Sequence, residues 1–463
     1  MTIKTINPVT EEIIQEYDNV TKDTIINKTK KAKEEFYNWK KDLQKRVSLL
    51  HDFAQQIRKD KETLAKTATI EIEKPIKESR SEIEKCAWAI EYFADNGSLF
   101  VPKEAINADA RKTVIAFEPI ETIASIMPWN FPYWQALRFA APSLMVGNTT
   151  VLKPSSATMQ CGIEIENTFN KIGMPEGVFQ TLVGDSGIVE TLISSEYVDA
   201  VTFTGSVSVG SKVAQMATSK IKKTVLELGG SDPFIVLEDA DIDKASTAAV
   251  KGRFINCGQS CIASKRFIVA KKIANEFIEK FVQKVKKLKV GNPLSDDTDI
   301  GPLVNVDGLK KIDQIVNSTI KEGAEILTRG KQIDGKGYFY EPTVLKNVTT
   351  KMNISQEEVF GPVAPIILAS DEKEAVDISN DTLYGLGTSM WTEDLDRAEK
   401  LSNIIQSDLV SVNNIVASDP RVPFGGIKQS GFGRELSRYG MLEFVNIKTI
   451  RYYDQLVHQH HVE

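Results

Sequence analysis

The 463-residue chain has only four cysteines and four histidines, and both scarcities limit what it can be. Cys86, Cys161, Cys257 and Cys261 do not make a disulfide framework, and Cys257 with Cys261 lack the second pair that a zinc finger needs. Free thiols are expected, and no metal site. His458, His460 and His461 crowd the last six residues and His51 lies in an amphipathic helical pattern, which disfavours a Cys/His dyad. Long apolar runs are missing too, since no stretch approaches the ~20 residues of a membrane span. Charge of one sign is equally scarce: 57 Lys and Arg face 63 Asp and Glu, a net charge of -6. That balance leaves no electrostatic footprint for nucleic acid and points to a small-molecule partner. Met1 to Ile6 lacks the layout of a secretory signal or a transit peptide, so a cytoplasmic protein is expected. Two phosphate-binding signatures are absent as well. Gly205 to Lys212 nearly matches a P-loop but places Ser211 before Lys212, and it does not fit the G-x-G-x-x-G dinucleotide fingerprint.

What is present has the balance of a soluble globular protein, 41% hydrophobic and 26% charged, and the length suggests about three domains. The first hundred residues read as mostly helical, with Leu50, Phe53, Ile57 and Leu64, then Ile83, Cys86, Ala87, Ile90 and Phe93, near a 3.6-residue period. Lys112 to Pro119 reads as a strand whose Val114 to Phe117 run is too apolar to lie uncovered. From Glu121 to Leu228, short apolar runs at 122–127, 149–152, 179–183, 200–203 and 224–228 alternate with helical stretches, which indicates βαβ units and a parallel sheet covered on both faces. A second α/β pattern runs from Pro233 to about Asn414, and Phe444 to Tyr453 is a last strand. The expected class is α/β, with a cleft where the two lobes meet.

The chemistry-bearing residues concentrate around Phe254 to Cys261. Two thiols stand there in a short polar run, between a helix-like segment rich in small residues and a strand, and either Cys257 or Cys261 is a candidate nucleophile. With histidine disfavoured, a carboxylate is the alternative base. Glu227 interrupts an apolar strand that ends in Gly229 and Gly230; it is either a buried carboxylate with a raised pKa or a strand-end residue facing water. Asn130, framed by Pro128 and Pro132, is either an ordinary turn residue or an amide held rigidly as an oxyanion donor. The Gly205-Ser206 turn can present helix N-terminal amides to a phosphate. The glycine-rich stretch from Pro423 to Glu435 reads as a hinge or turn.

Taken together, these stretches resemble the aldehyde dehydrogenase superfamily over nearly the whole chain, in the expected order. The resemblance rests on Asn7 to Glu11, Pro128-Trp129-Asn130-Phe131-Pro132, Lys153-Pro154, Phe203 to Ser206, Glu227 to Gly230, Asn256 to Cys261, Glu358 to Pro362, and Pro423 to Gly426. It implies a Rossmann-type cofactor domain of five strands (1–100 and 120–231), an α/β catalytic domain (232–430) and a small β oligomerisation element (101–119 and 444–463) of a homodimer or homotetramer. It implies Cys261 as nucleophile, Glu227 as base, and Asn130 with the Cys261 backbone N–H as oxyanion hole. Trp129, Lys153, Ser156, Gly205, Ser206, Glu358 and Phe360 are the implied cofactor-binding residues, with Phe360 beside the nicotinamide ring.

The implied reaction is NAD(P)-dependent oxidation of an aldehyde through a cysteine thioester. Coenzyme A-acylating members generally lack the base that Glu227 provides, so hydrolysis is expected. Members that prefer NAD often carry a glutamate where this chain has Ser156, so NADP is the expected cofactor, with NAD also possible. The approach from Ser418 to Phe424 and an arginine eight residues after Asn130 are similar to bacterial succinate-semialdehyde dehydrogenases. They mark Arg138 and Phe424 as implied substrate-binding residues, with Arg138 for a distal carboxylate. Some relatives carry a second arginine six residues before the nucleophile, where this chain has Ile255. Another small aliphatic or hydroxy aldehyde is the alternative substrate. A thioesterase, an acyltransferase or a binding protein on the same fold are alternative readings, the first two without use for the cofactor motifs.

Overall fold

Strands apolar on both faces need cover on both sides, and the computed structural model, which describes residues 2–454, supplies it. The chain opens with a hairpin, β1 (Thr2–Ile6) and β2 (Ile13–Asp18), followed by α1 (Lys22–Trp39), α2 (Leu43–Lys59), α3 (Lys61–Ile72) and α4 (Ile76–Phe100). The four helices follow the apolar periodicity; the hairpin departs from the mostly helical expectation, because its strands are largely exposed and show no long apolar run. Pro75 caps α4, where its missing N–H costs nothing.

Next come β3 (Glu104–Ile106) and β4 (Lys112–Pro119), which form a three-stranded antiparallel sheet with the last strand, β18 (Val445–Tyr452). Val114 and Ala116 are buried there and Ile115 and Phe117 half-buried, so the chain itself covers part of the apolar run. His458, His460 and His461 lie outside the described residues.

The first βαβ region contains β5 (Thr122–Ile126), α5 (Pro132–Val146), β6 (Thr149–Lys153), α6 (Met159–Lys171), β7 (Phe179–Thr181), α7 (Val189–Ser194), β8 (Ala200–Thr204), α8 (Val207–Thr218) and β9 (Lys223–Glu227). These five strands are parallel in the spatial order β9-β8-β5-β6-β7. Chain direction through the sheet reverses between β5 and β8, which is the switch point where such sheets bind ligands at their carboxyl ends. A sixth strand, β17 (Gly431–Phe432), returns from the C-terminal region to pair antiparallel with β9.

The second sheet is built from β10 (Pro233–Val236), β11 (Arg266–Ala270), β12 (Glu325–Thr328), β13 (Thr343–Lys346), β14 (Val363–Ala369), β15 (Gly387–Trp391) and β16 (Leu409–Val412), with α9 (Ile242–Phe254) leading into the cysteine stretch. Its order is β12-β13-β14-β11-β10-β15-β16, parallel except at the β12 edge. Each sheet has its own buried cluster, one around Phe93, Leu137 and Phe139 and another around Phe234, Phe267 and Phe281. The carboxyl ends of the first sheet meet the loops that enter β11 and β14 of the second.

Candidate active site

Five of the residues singled out in the sequence stand at the carboxyl ends of the first sheet. Asn130 follows β5, Lys153 closes β6, Gly205 and Ser206 follow β8, and Glu227 closes β9. Register makes this unavoidable: Ile126 pairs with Lys153 and Phe203, and Thr204 with Glu227. Residues distant in sequence thus reach one edge of one sheet.

The second sheet brings the thiol to that edge. After α9 the backbone turns through Asn256 (φ 49°), Cys257 (φ 55°) and Gly258 (φ 74°), three successive left-handed residues of which two carry side chains. Such positions cost ~1–3 kcal/mol each and persist only where neighbours hold them. Here Glu78 of α4 accepts the Asn256 N–H at 2.8 Å, and the Asn256 Nδ2 donates to the Asn130 carbonyl at 2.8 Å. The buried Arg253 donates to the carbonyls of Ser264 (3.0 Å), Gly258 (3.3 Å) and Val359 (3.0 Å), tying the cysteine loop to the one that carries Glu358. Burial pushes the Arg253 guanidinium down to about 9 and the Glu78 carboxyl up to about 7.

The turn separates the two thiols. Cys257 points into the second core and is 1% exposed, where burial pushes its thiol up. That is the packing role. Cys261 is half-buried, and its thiol and the Glu227 carboxyl stand near enough for each to shift the other's proton affinity. Burial first, then the nearby Glu227 charge, push the Cys261 thiol well up, while Arg138 and Lys265 pull it down. Burial likewise raises the Glu227 carboxyl, opposed by Arg138. A thiol beside a carboxyl that burial raises has a base at hand.

Asn130 is buried, and its Nδ2 donates to the Gln259 carbonyl at 3.1 Å, which fixes the amide plane and leaves the second N–H of Nδ2 free. Gln259 is itself held, its Oε1 accepting the Val304 N–H at 3.0 Å. Among the described residues the Cys261 backbone N–H has no hydrogen-bond partner. Two donors are thus left unused beside the sulfur.

Arg138 is held by buried partners. Its Nη2 is 3.3 Å from Glu227 Oε2, its Nε pairs with Glu435 Oε2, and it is 1% exposed. Its charge is engaged by two buried carboxylates, Glu227 and Glu435, while it also lines the cavity that Cys261 faces. Burial brings the Glu435 carboxyl up to about 7. The Arg138 guanidinium also stacks 4.6 Å over the Phe424 ring, and the backbones of Phe424 and Glu435 bond each other twice, at 2.8 and 2.7 Å. Phe424 lines the cavity that Cys261 faces.

The implied cofactor residues gather on the other side of the thiol. Glu358 accepts the Gly230 N–H at 3.2 Å and lies 3.4 Å from Lys265 Nζ; a Cβ added at Gly229 would collide with its carboxylate, which explains that glycine. Trp129 and Phe360 pack edge to face, with centroids 5.8 Å apart. Lys153 is buried without a hydrogen bond or ion pair to any described residue, and burial brings its ammonium down to about 8. Ser156 begins a short helical turn capped by Ser155, and Ser206 caps α8 without using its side chain on the helix amides. An unpaired buried cation, an uncapped helix start and an aromatic pair fit a dinucleotide.

On the side of Cys261 away from these residues is a cavity of about 460 Å³ whose walls include Phe131, Trp134, Arg138, Ile262 and Phe424. Glu78, Glu82, Lys85 and Glu435 were not singled out in the sequence. A signal existed for the first three: positions 78, 82 and 85 recur at helical spacing, so a charged stripe adjoins the apolar one on α4. Glu82 accepts the Tyr133 and Trp134 N–H groups at 2.9 and 2.8 Å, capping α5, and pairs with the buried Lys74.

Known proteins match this arrangement. The family model described as the aldehyde dehydrogenase family covers residues 1–450. A probable succinate-semialdehyde dehydrogenase [NADP(+)] from Synechocystis is 42% identical over 451 residues, 97% of this chain and 99% of the relative. Succinate-semialdehyde dehydrogenase [NADP(+)] 1 from Mycobacterium tuberculosis is 40% identical over 454 residues, with the same coverage. Among solved structures, succinic semialdehyde dehydrogenase from Streptococcus pyogenes in complex with NADP+ superposes with a TM-score of 0.95 at 33% identity, covering 98% of this chain and 100% of that one. Lactaldehyde dehydrogenase from Escherichia coli also reaches 0.95, at 30% identity over 98% and 96% of the two chains.

Proposed function

This chain belongs to the aldehyde dehydrogenase family, and we propose that within it the chain oxidises succinate semialdehyde to succinate with NADP through a thioester on Cys261. One observation carries the mechanism: the Cys261 thiol, the Glu227 carboxyl and the fixed Asn130 amide converge where two sheets meet. The Cys261 thiol gives its proton to Glu227, which passes it to solvent and is ionised again, and the thiolate adds to the aldehyde carbon. The free N–H of Asn130 and the backbone N–H of Cys261 then receive the oxyanion. NADP, when bound, supplies the two-electron acceptor for the step that follows. Lys153, Ser156 and the Gly205-Ser206 turn would hold its adenosine and phosphate end, and Trp129, Glu358 and Phe360 its nicotinamide end. Glu227 next deprotonates a water that attacks the thioester, which releases the acid and restores the thiol.

The substrate reading draws support from the curated relatives, which are named for succinate semialdehyde and NADP(+). Residues 1–100 with 120–231 are read as the cofactor domain, 232–430 as the catalytic domain, and 101–119 with 444–463 as an oligomerisation element. The half-buried apolar residues of β4 support a homodimer or homotetramer, and four free cysteines suit a cytoplasmic protein. Reduction of NADP with a panel of aldehydes tests the whole reading: succinate semialdehyde should lead the panel, and Cys261→Ala should abolish reduction. A lead by lactaldehyde would transfer the assignment to a hydroxy aldehyde.

A further inference from the structure

We propose that Lys265 is a positioning residue that ties Glu358, the carboxylate read above as holding the nicotinamide end of the cofactor, to the segment that carries Cys261. The inference rests on that reading of Glu358 and adds to it the cation that sets the nucleophile and the cofactor carboxylate relative to each other.

Lys265 is the residue before β11, and its backbone N–H donates at 2.8 Å to the carbonyl of Asp232, the residue before β10. Side chains alternate along a strand, so Lys265 and Arg266 leave in opposite directions. Arg266 is spent on the backbone, donating to the carbonyls of Ser231 (2.9 Å), Ile378 (2.7 Å) and Ser379 (2.9 Å). Lys265 turns toward the site instead. Its side chain is 0% exposed, its Nζ donates to the Cys261 carbonyl, and the same atom stands 3.4 Å from Glu358 Oε1. A fully buried ammonium needs a counter-charge, and here that charge is a half-buried carboxylate of the cleft.

Packing fixes this geometry. The Gly230 N–H donates to the same Glu358 oxygen at 3.2 Å, and a Cβ on Gly230 would meet Asp232 Oδ1 at 2.8 Å and the Cys261 carbonyl at 2.9 Å. Asp232 has no ion pair with Lys265 among the described residues, so the carboxylate that Lys265 holds is the one at the site. Glu358 Oε1 is thereby held from two sides, and Oε2 accepts no hydrogen bond from a described residue. That oxygen is the one presented to the cofactor. Arg253 joins the same two segments through their carbonyls, and Lys265 joins them through charge. Burial and Glu227 push the Cys261 thiol up, and Lys265 pulls it down together with Arg138.

The test needs no turnover. Calorimetric titration compares NADP with adenosine 2′,5′-bisphosphate, which carries the phosphate end and lacks the nicotinamide end. Lys265→Met should weaken NADP binding ~10-fold and leave the bisphosphate unchanged. Glu358→Gln should show the same selective loss, and adding Lys265→Met to it should cost less than ~2-fold more, because the lysine acts through Glu358. In the cofactor-free protein, the pH midpoint for alkylation of Cys261 by iodoacetamide, followed by intact mass, should move upward in Lys265→Met. Thermal melts establish that the variants fold, and Lys265→Gln replaces Lys265→Met if that protein does not. If Glu358→Gln weakens NADP selectively while Lys265→Met leaves it unchanged, or weakens both ligands equally, the Lys265 role is overturned and the reading of Glu358 stands. NADP binding that Glu358→Gln leaves intact overturns both. An alkylation midpoint that does not move overturns the tie to the thiol.

Discussion

Arg138 Nη2 lies 3.3 Å from Glu227 Oε2 within a buried ladder that also contains Glu435. The arrangement places one cation between two carboxylates, so Arg138 holds the base in place and limits how far burial raises it.

Removing that cation should be felt in protonation before anything else. In Arg138→Met the Glu227 carboxyl is expected to rise further, so less of it is ionised at neutral pH. The acid limb of the kcat profile should move to higher pH, and kcat at pH 7 should fall ~10- to 100-fold. Stability should drop by about 3–5 kcal/mol, because two buried carboxylates lose their partner. A pH–rate profile beside a denaturation curve measures both, and an unmoved acid limb would remove Arg138 from the positioning of the base.

Ser156 is the proposed determinant of cofactor choice. A glutamate there would set a negative charge against the 2′-phosphate of NADP, so Ser156→Glu should lower the kcat/KM ratio of NADP to NAD by ~10- to 100-fold. Steady-state kinetics with both cofactors decide it. A wild-type protein that turns over NAD alone would contradict the assignment.

Much of this was legible before any coordinates. The five parallel strands announce themselves as continuous apolar runs, since a strand buried on both faces has no polar side to show. Cys261, Glu227 and Asn130 stood out as candidates because each breaks its local pattern, a thiol in a polar turn, an acid in an apolar strand, an amide between prolines, and the family resemblance then chose their roles. The hairpin of β1 and β2 was not, because exposed short strands carry no such signature. Arg138 was visible as an arginine on α5 but its partner was not, since Glu435 stands 297 residues away and meets it only through the return of the chain past β17. Pairing across the fold, rather than residue type, separates these cases.

Glu78 should leave a signature in stability. Burial raises its carboxyl from 4.5 to about 7, so the folded state binds its proton more tightly than the unfolded state does. Its contribution to stability is complete below about pH 4.5 and is lost as pH rises toward 7. Glu78→Gln keeps an oxygen to accept the Asn256 N–H but cannot ionise. Relative to wild type it should therefore gain, between pH 4 and pH 8, on the order of 3 kcal/mol. Urea titrations of both proteins at the two pH values give the difference directly, and parallel pH dependences would mean that Glu78 does not titrate in this range.

The central claim is that Cys261 carries an acyl group that Glu227 releases. Stopped-flow reduction of NADP by Glu227→Gln with succinate semialdehyde tests it most directly. The expected record is a burst approaching one reduced cofactor per active site, followed by a steady rate lower than wild type by ~10²-fold or more, with the acyl adduct on Cys261 seen by intact-mass measurement. Wild-type steady-state turnover in Glu227→Gln, with no burst and no adduct, would contradict the account.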